Sequence, residues 1–194
     1  MEKSTITLSR QYGSGGRAIG AKLAELLELP FYDKEIIALS ARQSGVTDDF
    51  FQQAEQTGGN LFRDFSAGFT PDLPLGDKVY FAQCAAIRTL AQNGPCVMVG
   101  RGAGVVLEGV CPLLNVFVYA DLETRKRRAV EEYGDDPRKI EARIAAIDKK
   151  RASYVRFYAG VDGRQLINYH LCVDSGRVGI DGAVAAIAAA YRAL

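Results

Sequence analysis

Gly13, Gly15 and Gly16 stand together in Ser9-Arg10-Gln11-Tyr12-Gly13-Ser14-Gly15-Gly16-Arg17. Glycines spaced this closely let backbone N–H groups approach a phosphate, and a helix that follows them adds the positive end of its dipole. Phosphate chemistry also needs cations, and the chain carries a basic stretch far downstream. Within Arg125-Lys126-Arg127-Arg128, a helix would place Arg125 and Arg128 on one face. Arg138, Lys139, Arg143, Lys149, Lys150, Arg151 and Arg156 follow, with acids interspersed. Phosphoryl transfer depends on positioning and on neutralising charge around the transferred group. An arginine-bearing lid that shuts out water is therefore the expected partner of such a loop, and Arg125, Arg128 and Arg151 are its expected cations. The alternative is a solvated helix pair with surface ion pairs, which suits Lys126, Arg138 and Lys139.

The elements that must position these residues follow from periodicity. Thr5–Leu8 is a short β-branched run, after which Ile19, Leu23, Leu26 and Leu27 recur on one helical face until Pro30. Phe31-Tyr32 predicts a brief strand ending at Asp33, and Lys34–Gln43 a helix. Turn residues break Ser44–Gly76, where a helix around Asp48–Gln56 and then a loop are expected. Asp77–Gln92 predicts a helix with Val79, Cys84, Ile87 and Leu90 inward. Cys96–Val99 and Leu114–Tyr119 are apolar on both faces, as in a parallel sheet covered by helices. Asp121–Tyr133 and Asp136–Tyr158 read as the basic helices, Tyr169–Val173 as a last strand and Gly179–Leu194 as a closing helix. Strands alternating with helices predict an α/β layer fold with about five parallel strands. A single domain over residues 1–194 is expected.

Bulk properties narrow the partners. The formal net charge is +1, so neither a general nucleic-acid surface nor an anionic-membrane surface is expected. No apolar run approaches the roughly 20 residues that span a bilayer, and Met1–Ser4 is too short and polar for a signal peptide. Cys84, Cys96, Cys111 and Cys172 form no C-x-x-C pair and read as reduced core residues of a cytoplasmic protein. The single histidine, His170, excludes a His-rich metal site and reads as a packed or surface residue. No metal-ligating side chains are assigned, and the sequence leaves monomer and homo-oligomer equally open.

A phosphate loop normally reads G-x-x-x-x-G-K-[ST]. With its second glycine set on Gly16, Gln11 replaces the first glycine, Arg17 the lysine and Ala18 the hydroxyl residue. Arg17 stays charged and can grip two phosphate oxygens with its fork, although it is bulkier than an ammonium. Ala18 removes a usual magnesium ligand, which leaves the metal to substrate oxygens and water. Two rivals stay open. Gly13-x-Gly15-Gly16-x-x-x-Gly20 with Asp33 as a ribose acid suits a dinucleotide loop. The other rival is a plain glycine-rich turn.

Four segments resemble the cytidylate kinase-like family of P-loop kinases. They are Ile6–Arg17 with Ile19-Gly20, Leu29–Glu35, Val97–Ala103, and the stretch from Asp148 through Arg156-Phe157-Tyr158 to Cys172. The resemblance implies a three-layer P-loop kinase fold with an acceptor region at about 33–76 and an arginine-rich helical lid at about 121–158. It implies transfer of the ATP γ-phosphate, with Mg2+, to CMP, dCMP or a similar nucleotide. Gly13, Ser14, Gly15, Gly16, Arg17 and Ala18 then match the loop that holds the ATP phosphates, and Asp33 the edge of the monophosphate site. Arg101 matches an arginine that grips the acceptor; true cytidylate kinases flank it with aspartates, where Gly100 and Gly102 stand here. Arg125 and Arg128 match the lid arginines, and Asp148 and Arg151 fall where the lid closes over the transferring phosphate. Arg42 is either an acceptor-phosphate ligand or a surface arginine. Tyr154, Phe157 and Tyr158 read as core side chains, with stacking on a base as the alternative. A binding module without turnover, or a kinase of a non-nucleotide small molecule, are the rival functions.

Overall fold

The computed structural model describes residues 4–33, 36, 39, 75–163 and 165–194. In chain order these form β1 (Thr5–Arg10), α1 (Gly16–Leu27), β2 (Phe31–Tyr32), α2 (Leu75–Gln92), β3 (Val97–Val99), α3 (Ala103–Val106) and β4 (Leu113–Tyr119). They continue with α4 (Leu122–Glu131), α5 (Ile140–Ala159), a 3-10 turn at Leu166–Asn168, β5 (Leu171–Asp174) and α6 (Ser175–Arg192). The strands make one parallel sheet in the order β2-β3-β1-β4-β5. Leu8 lies beside Val99 on one side and Val116 on the other, so β1, β3 and β4 end at nearly the same level. The segments that leave those carboxyl ends converge there, which is where ligands sit in open parallel sheets.

One face of β1 and β4 is apolar and one is mixed. Ile6, Leu8, Leu114, Val116 and Val118 are buried with Ile19 and Leu23 of α1 and Val184 and Ile187 of α6. Gly20 brings α1 close, since a Cβ there would lie 2.8 Å from Val99 Cγ2 and 2.9 Å from Leu8 Cδ1. On the opposite face Thr7 Oγ1 donates to Asn115 Oδ1 at 2.9 Å, and Asn115 Nδ2 donates to the Asn168 carbonyl at 2.8 Å. The expectation that β4 is apolar on both faces therefore fails at Asn115, whose buried amide is satisfied rather than absent. A second core gathers Ile36, Cys84, Ile87, Met98 and Leu107 around α2 and α3.

Several boundaries shift. Leu26 is half exposed, not inward. The buried face of α1 is Ile19, Gly20, Leu23 and Ala24, and the helix stops at Leu27 when Glu28 turns left-handed at φ 54. The closing helix starts at Ser175, capped by Asp174, and breaks at Gly179 (φ 72, ψ 178), where the sequence placed its beginning. Phe157 is 69% exposed, so it is not the core residue expected from its spacing. Ile36 and Leu39 excepted, Lys34–Gln43 lies outside the described residues, as do Arg42, Asp48–Gln56 and the side chain of Val79. Among the described residues no helix is long and apolar enough to cross a membrane.

All four cysteines are free, Cys84 and Cys96 being buried. Burial pushes the Cys96 thiol up to about 11. In the native chain at pH 8, Cys96 is expected to react with a disulfide reagent on the order of 100-fold more slowly than the half-buried Cys111. Mass mapping of labelled thiols checks this, and equal native rates would contradict the burial of β3.

Candidate active site

The glycine loop runs from the end of β1 to the first turn of α1. Gly13 and Gly15 take left-handed backbone at φ 77 and φ 76, conformations that side chains resist. Gly15 is the N-cap of α1 and supplies no side-chain cap, so the first-turn amides face the loop mouth rather than a capping oxygen of their own residue.

The loop is tied at both flanks. Gln11 N–H donates to the Val118 carbonyl at 3.0 Å, and Gln11 Oε1 accepts from Ala120 N–H at 3.2 Å. Ser14 Oγ donates to the Gln11 carbonyl at 2.9 Å, and Ser175 Oγ donates to the Ser14 carbonyl at 2.6 Å. The Ser14 hydroxyl is thus turned into the loop and fully buried.

Tyr12 is the loop's handle to α5. Its N–H donates to Asp148 Oδ1 at 2.7 Å, and its hydroxyl donates to Asp135 Oδ2 at 2.7 Å. The guanidinium carbons of Arg143 and Arg151 lie 6.0 and 5.8 Å from its ring centre. The ring meets Tyr133 edge-on at 5.7 Å. Burial pushes the pKa of the Tyr133 hydroxyl up, and Glu132 adds to the rise; Arg128, the Gly15 N–H and Arg151 oppose it. The Tyr133 hydroxyl therefore lies within electrostatic reach of Arg128 and Arg151.

The arginines divide by position. Arg125 is 9% exposed; its Nη1 donates to Asp148 Oδ2 at 2.5 Å and to the Tyr12 carbonyl at 3.4 Å. Arg128 is equally buried and donates to the Ser175 hydroxyl at 3.1 Å and to the Ser175 carbonyl at 2.9 Å. Both share a face of α4, as their spacing requires, and that face rests on the glycine loop. Arg151 Nη1 donates to the Arg10 carbonyl at 3.1 Å. Burial pushes the pKa of Arg151 down from the usual arginine range, Asp148 opposes this, and the neighbouring Arg101 cation adds to it. Arg101, half-buried in left-handed backbone at φ 60, also acts on Tyr154. Arg17 is exposed and pairs through Nε with Asp33 Oδ2 at 2.9 Å; Ala18 is exposed beside it. Tyr154 donates to Gln83 Oε1 at 2.6 Å, and Tyr158 stacks on Tyr80 with ring centres 4.2 Å apart. His170 is exposed, with Nδ1 accepting from Asn115 N–H at 3.1 Å.

Gly13–Arg17, Arg125, Arg128, Asp148 and Arg151 are therefore brought together, with Asp33 and Arg101 at the rim. Sequence reasoning missed Tyr12, Asp135, Tyr133 and Ser175. An aromatic residue inside a run of glycines was the one local signal among them. Among the described residues no group of three or more His, Cys, Asp or Glu side chains is placed to hold a metal ion.

A parallel sheet of this order, a glycine loop after its central strand and arginine-bearing helices after β4 make up a P-loop kinase fold. Residues 5–177 match the cytidylate kinase-like family, and the chain belongs to it. An uncharacterized protein from Eubacterium ventriosum ATCC 27560 is similar with a TM-score of 0.75 at 23% identity, over 99% of this chain and 100% of that one. Shikimate kinase from Bacteroides thetaiotaomicron gives 0.57 at 15% identity, over 97% and 98% of the two chains. Shikimate kinase from Acinetobacter baumannii, in complex with shikimate, gives 0.53 at 16% identity, over 97% and 90%. Such identities speak to the fold alone. No curated protein sequence matches the chain.

Proposed function

We propose that the protein transfers the ATP γ-phosphate to a nucleoside monophosphate, with CMP or dCMP as the first acceptors to test. The left-handed Gly13 and Gly15 in front of an α1 terminus without a side-chain cap, beside Arg128 and Arg151, carry this reading. The backbone from Gly13 to Ala18 would hold the donor phosphates. Arg17 would leave Asp33 for them, since an exposed ion pair holds its partners weakly. Arg151 would face the transferred group, with Arg101, Arg42 and the vacated Asp33 on the acceptor side. Arg125, Arg128 and Asp148 enter the reading as positioning residues, because their polar atoms hold the loop and α5. Mg2+ fits as a metal carried by phosphate oxygens and water, because Ala18 brings no hydroxyl to it. No strong general base is required, because the acceptor phosphate is itself a nucleophile.

A kinase of a small hydroxylated acid is the second reading. It is favoured by Gly100 and Gly102 beside Arg101 and by the fold likeness to shikimate kinases. A coupled ADP assay with CMP, dCMP, other nucleoside monophosphates and shikimate separates the readings. Turnover with CMP or dCMP supports the first, and turnover only with shikimate supports the second. ATP binding by calorimetry with no turnover on any acceptor would instead make the protein a binding module. Arg17→Ala is expected to reduce ATP affinity or turnover severely while changing folding stability by less than about 1 kcal/mol. Unchanged kinetics would remove Arg17 from the site.

A further inference from the structure

We infer that Arg10 supplies, from the far end of the loop, a second phosphate-facing cation beside Arg17, in place of the lysine that a glycine replaces where α1 begins. The inference rests on reading the loop as a triphosphate cradle. In G-x-x-x-x-G-K the lysine directly follows a glycine at the helix start. Here the glycine in left-handed backbone that caps α1 is Gly15, and Gly16 is the first helical residue. On that register, one residue earlier than the sequence setting, Gly16 takes the lysine position and Arg10 takes the position of the loop's first glycine.

The two departures complement each other in space. A Cβ on Gly16 would lie 2.6 Å from Arg10 Cβ, 2.9 Å from its Cγ and 3.8 Å from its Cδ. The stem of Arg10 thus occupies the room that a side chain at position 16 would need. Its guanidinium continues to Gly100 at the end of β3, which holds φ +82. A Cβ there would collide with Arg10 Nη1 and lie 2.9 Å from Cζ. Glycine at both positions clears a track for one arginine, running from the helix start toward the Arg101 side of the site. The Arg10 carbonyl meanwhile accepts from Arg151, which couples the same residue to α5. A guanidinium offers donors along several edges, so it can engage phosphate oxygens without surrendering every contact it already has.

Calorimetric titration of the full chain with ATP tests this. Arg10→Met keeps the stem over Gly16 and removes the charge, and is expected to weaken ATP binding by about 10- to 100-fold. The double change Arg10→Gly with Gly16→Lys moves the cation from one end of the loop to the other. It is expected to bind ATP at least about tenfold more tightly than Arg10→Gly alone, a recovery that a merely structural arginine would not give. Equal ATP affinity of Arg10→Met and wild type, or no recovery in the double variant, overturns the assignment of Arg10. A wild-type chain that binds neither ATP nor inorganic triphosphate overturns the cradle reading as well, which distinguishes the two failures.

Discussion

Asp148→Ala is expected to remove about 2–4 kcal/mol of folding stability and to lower the melting temperature by roughly 5–15 °C. The carboxylate joins three pieces of chain. Its Oδ2 meets Arg125 Nη1 at 2.5 Å, and its Oδ1 accepts from Tyr12 N–H at 2.7 Å. Alanine would leave the Arg125 guanidinium buried without its counter-charge, and Arg125 Nε already lacks a hydrogen-bond partner. Removing one member of a buried pair costs about 3–5 kcal/mol; the Asp148 side chain is 26% exposed, which brings the expectation down. Asp148→Asn retains an acceptor for Tyr12 N–H and loses only the charge, so it should fall between wild type and alanine. Thermal and urea melts give the ranking. The same pair of variants separates positioning from direct contact with the transferred phosphate. If Asp148 positions the loop, turnover should fall in step with stability across the two variants. An Asn variant that melts like wild type yet loses turnover would return Asp148 to the reacting atoms.

The contrast between Tyr12 and its glycine neighbours shows what sequence can and cannot carry. The strand, the loop and α1 are written in adjacent residues: a β-branched run, a glycine cluster, then apolar positions at helical spacing. Local signals of that kind also bracket the two-residue β2 between Pro30 and Asp33 and begin a helix at Asp121, which in the structure is the cap of α4 and accepts from Thr124 N–H at 2.9 Å. Tyr12, by contrast, draws its partners Asp135 and Asp148 from 123 and 136 positions away. No window of sequence contains that pairing. The basic helices fall between these cases. Spacing establishes that Arg125 and Arg128 share a face, but periodicity does not say what a face will meet. A glycine loop exposes its carbonyls as well as its amides, and buried carbonyls need donors. Arg125 on the Tyr12 carbonyl meets that need directly, and Arg128 meets it through Ser175, which donates to the Ser14 carbonyl. That demand is tertiary, and it turns inward two residues that otherwise read as lid cations. Leu26 shows the reverse: an apolar residue on the expected stripe is half exposed, because the face that α1 buries runs through Ile19, Gly20, Leu23 and Ala24.

If α4 rests on the loop in this way, Gly13→Ala should be the most damaging single methyl that can be added there. Two costs combine. Gly13 sits at φ +77, where an alanine is disfavoured by about 1–2 kcal/mol. The new Cβ would also stand 2.5 Å from the Arg125 carbonyl oxygen and 2.9 Å from Arg125 Cα. Those are backbone atoms of a helix, which cannot swing aside like the end of a side chain, and overpacking of that kind costs about 1–3 kcal/mol more. The expected loss is therefore about 2–5 kcal/mol, with ATP affinity lost alongside as α4 is forced off the loop. Gly134 provides the internal standard, because it holds φ +73 with nothing within 4 Å of its Cβ position. Gly134→Ala should show the backbone cost alone. Gly15→Ala should fall between them, since its Cβ would run into Ile180 Cδ1, the movable end of a side chain. Urea melts of the three variants yield the order directly. A Gly13→Ala chain no less stable than Gly134→Ala would mean that α4 does not bear on the loop, and the positioning role given to Arg125 would go with it.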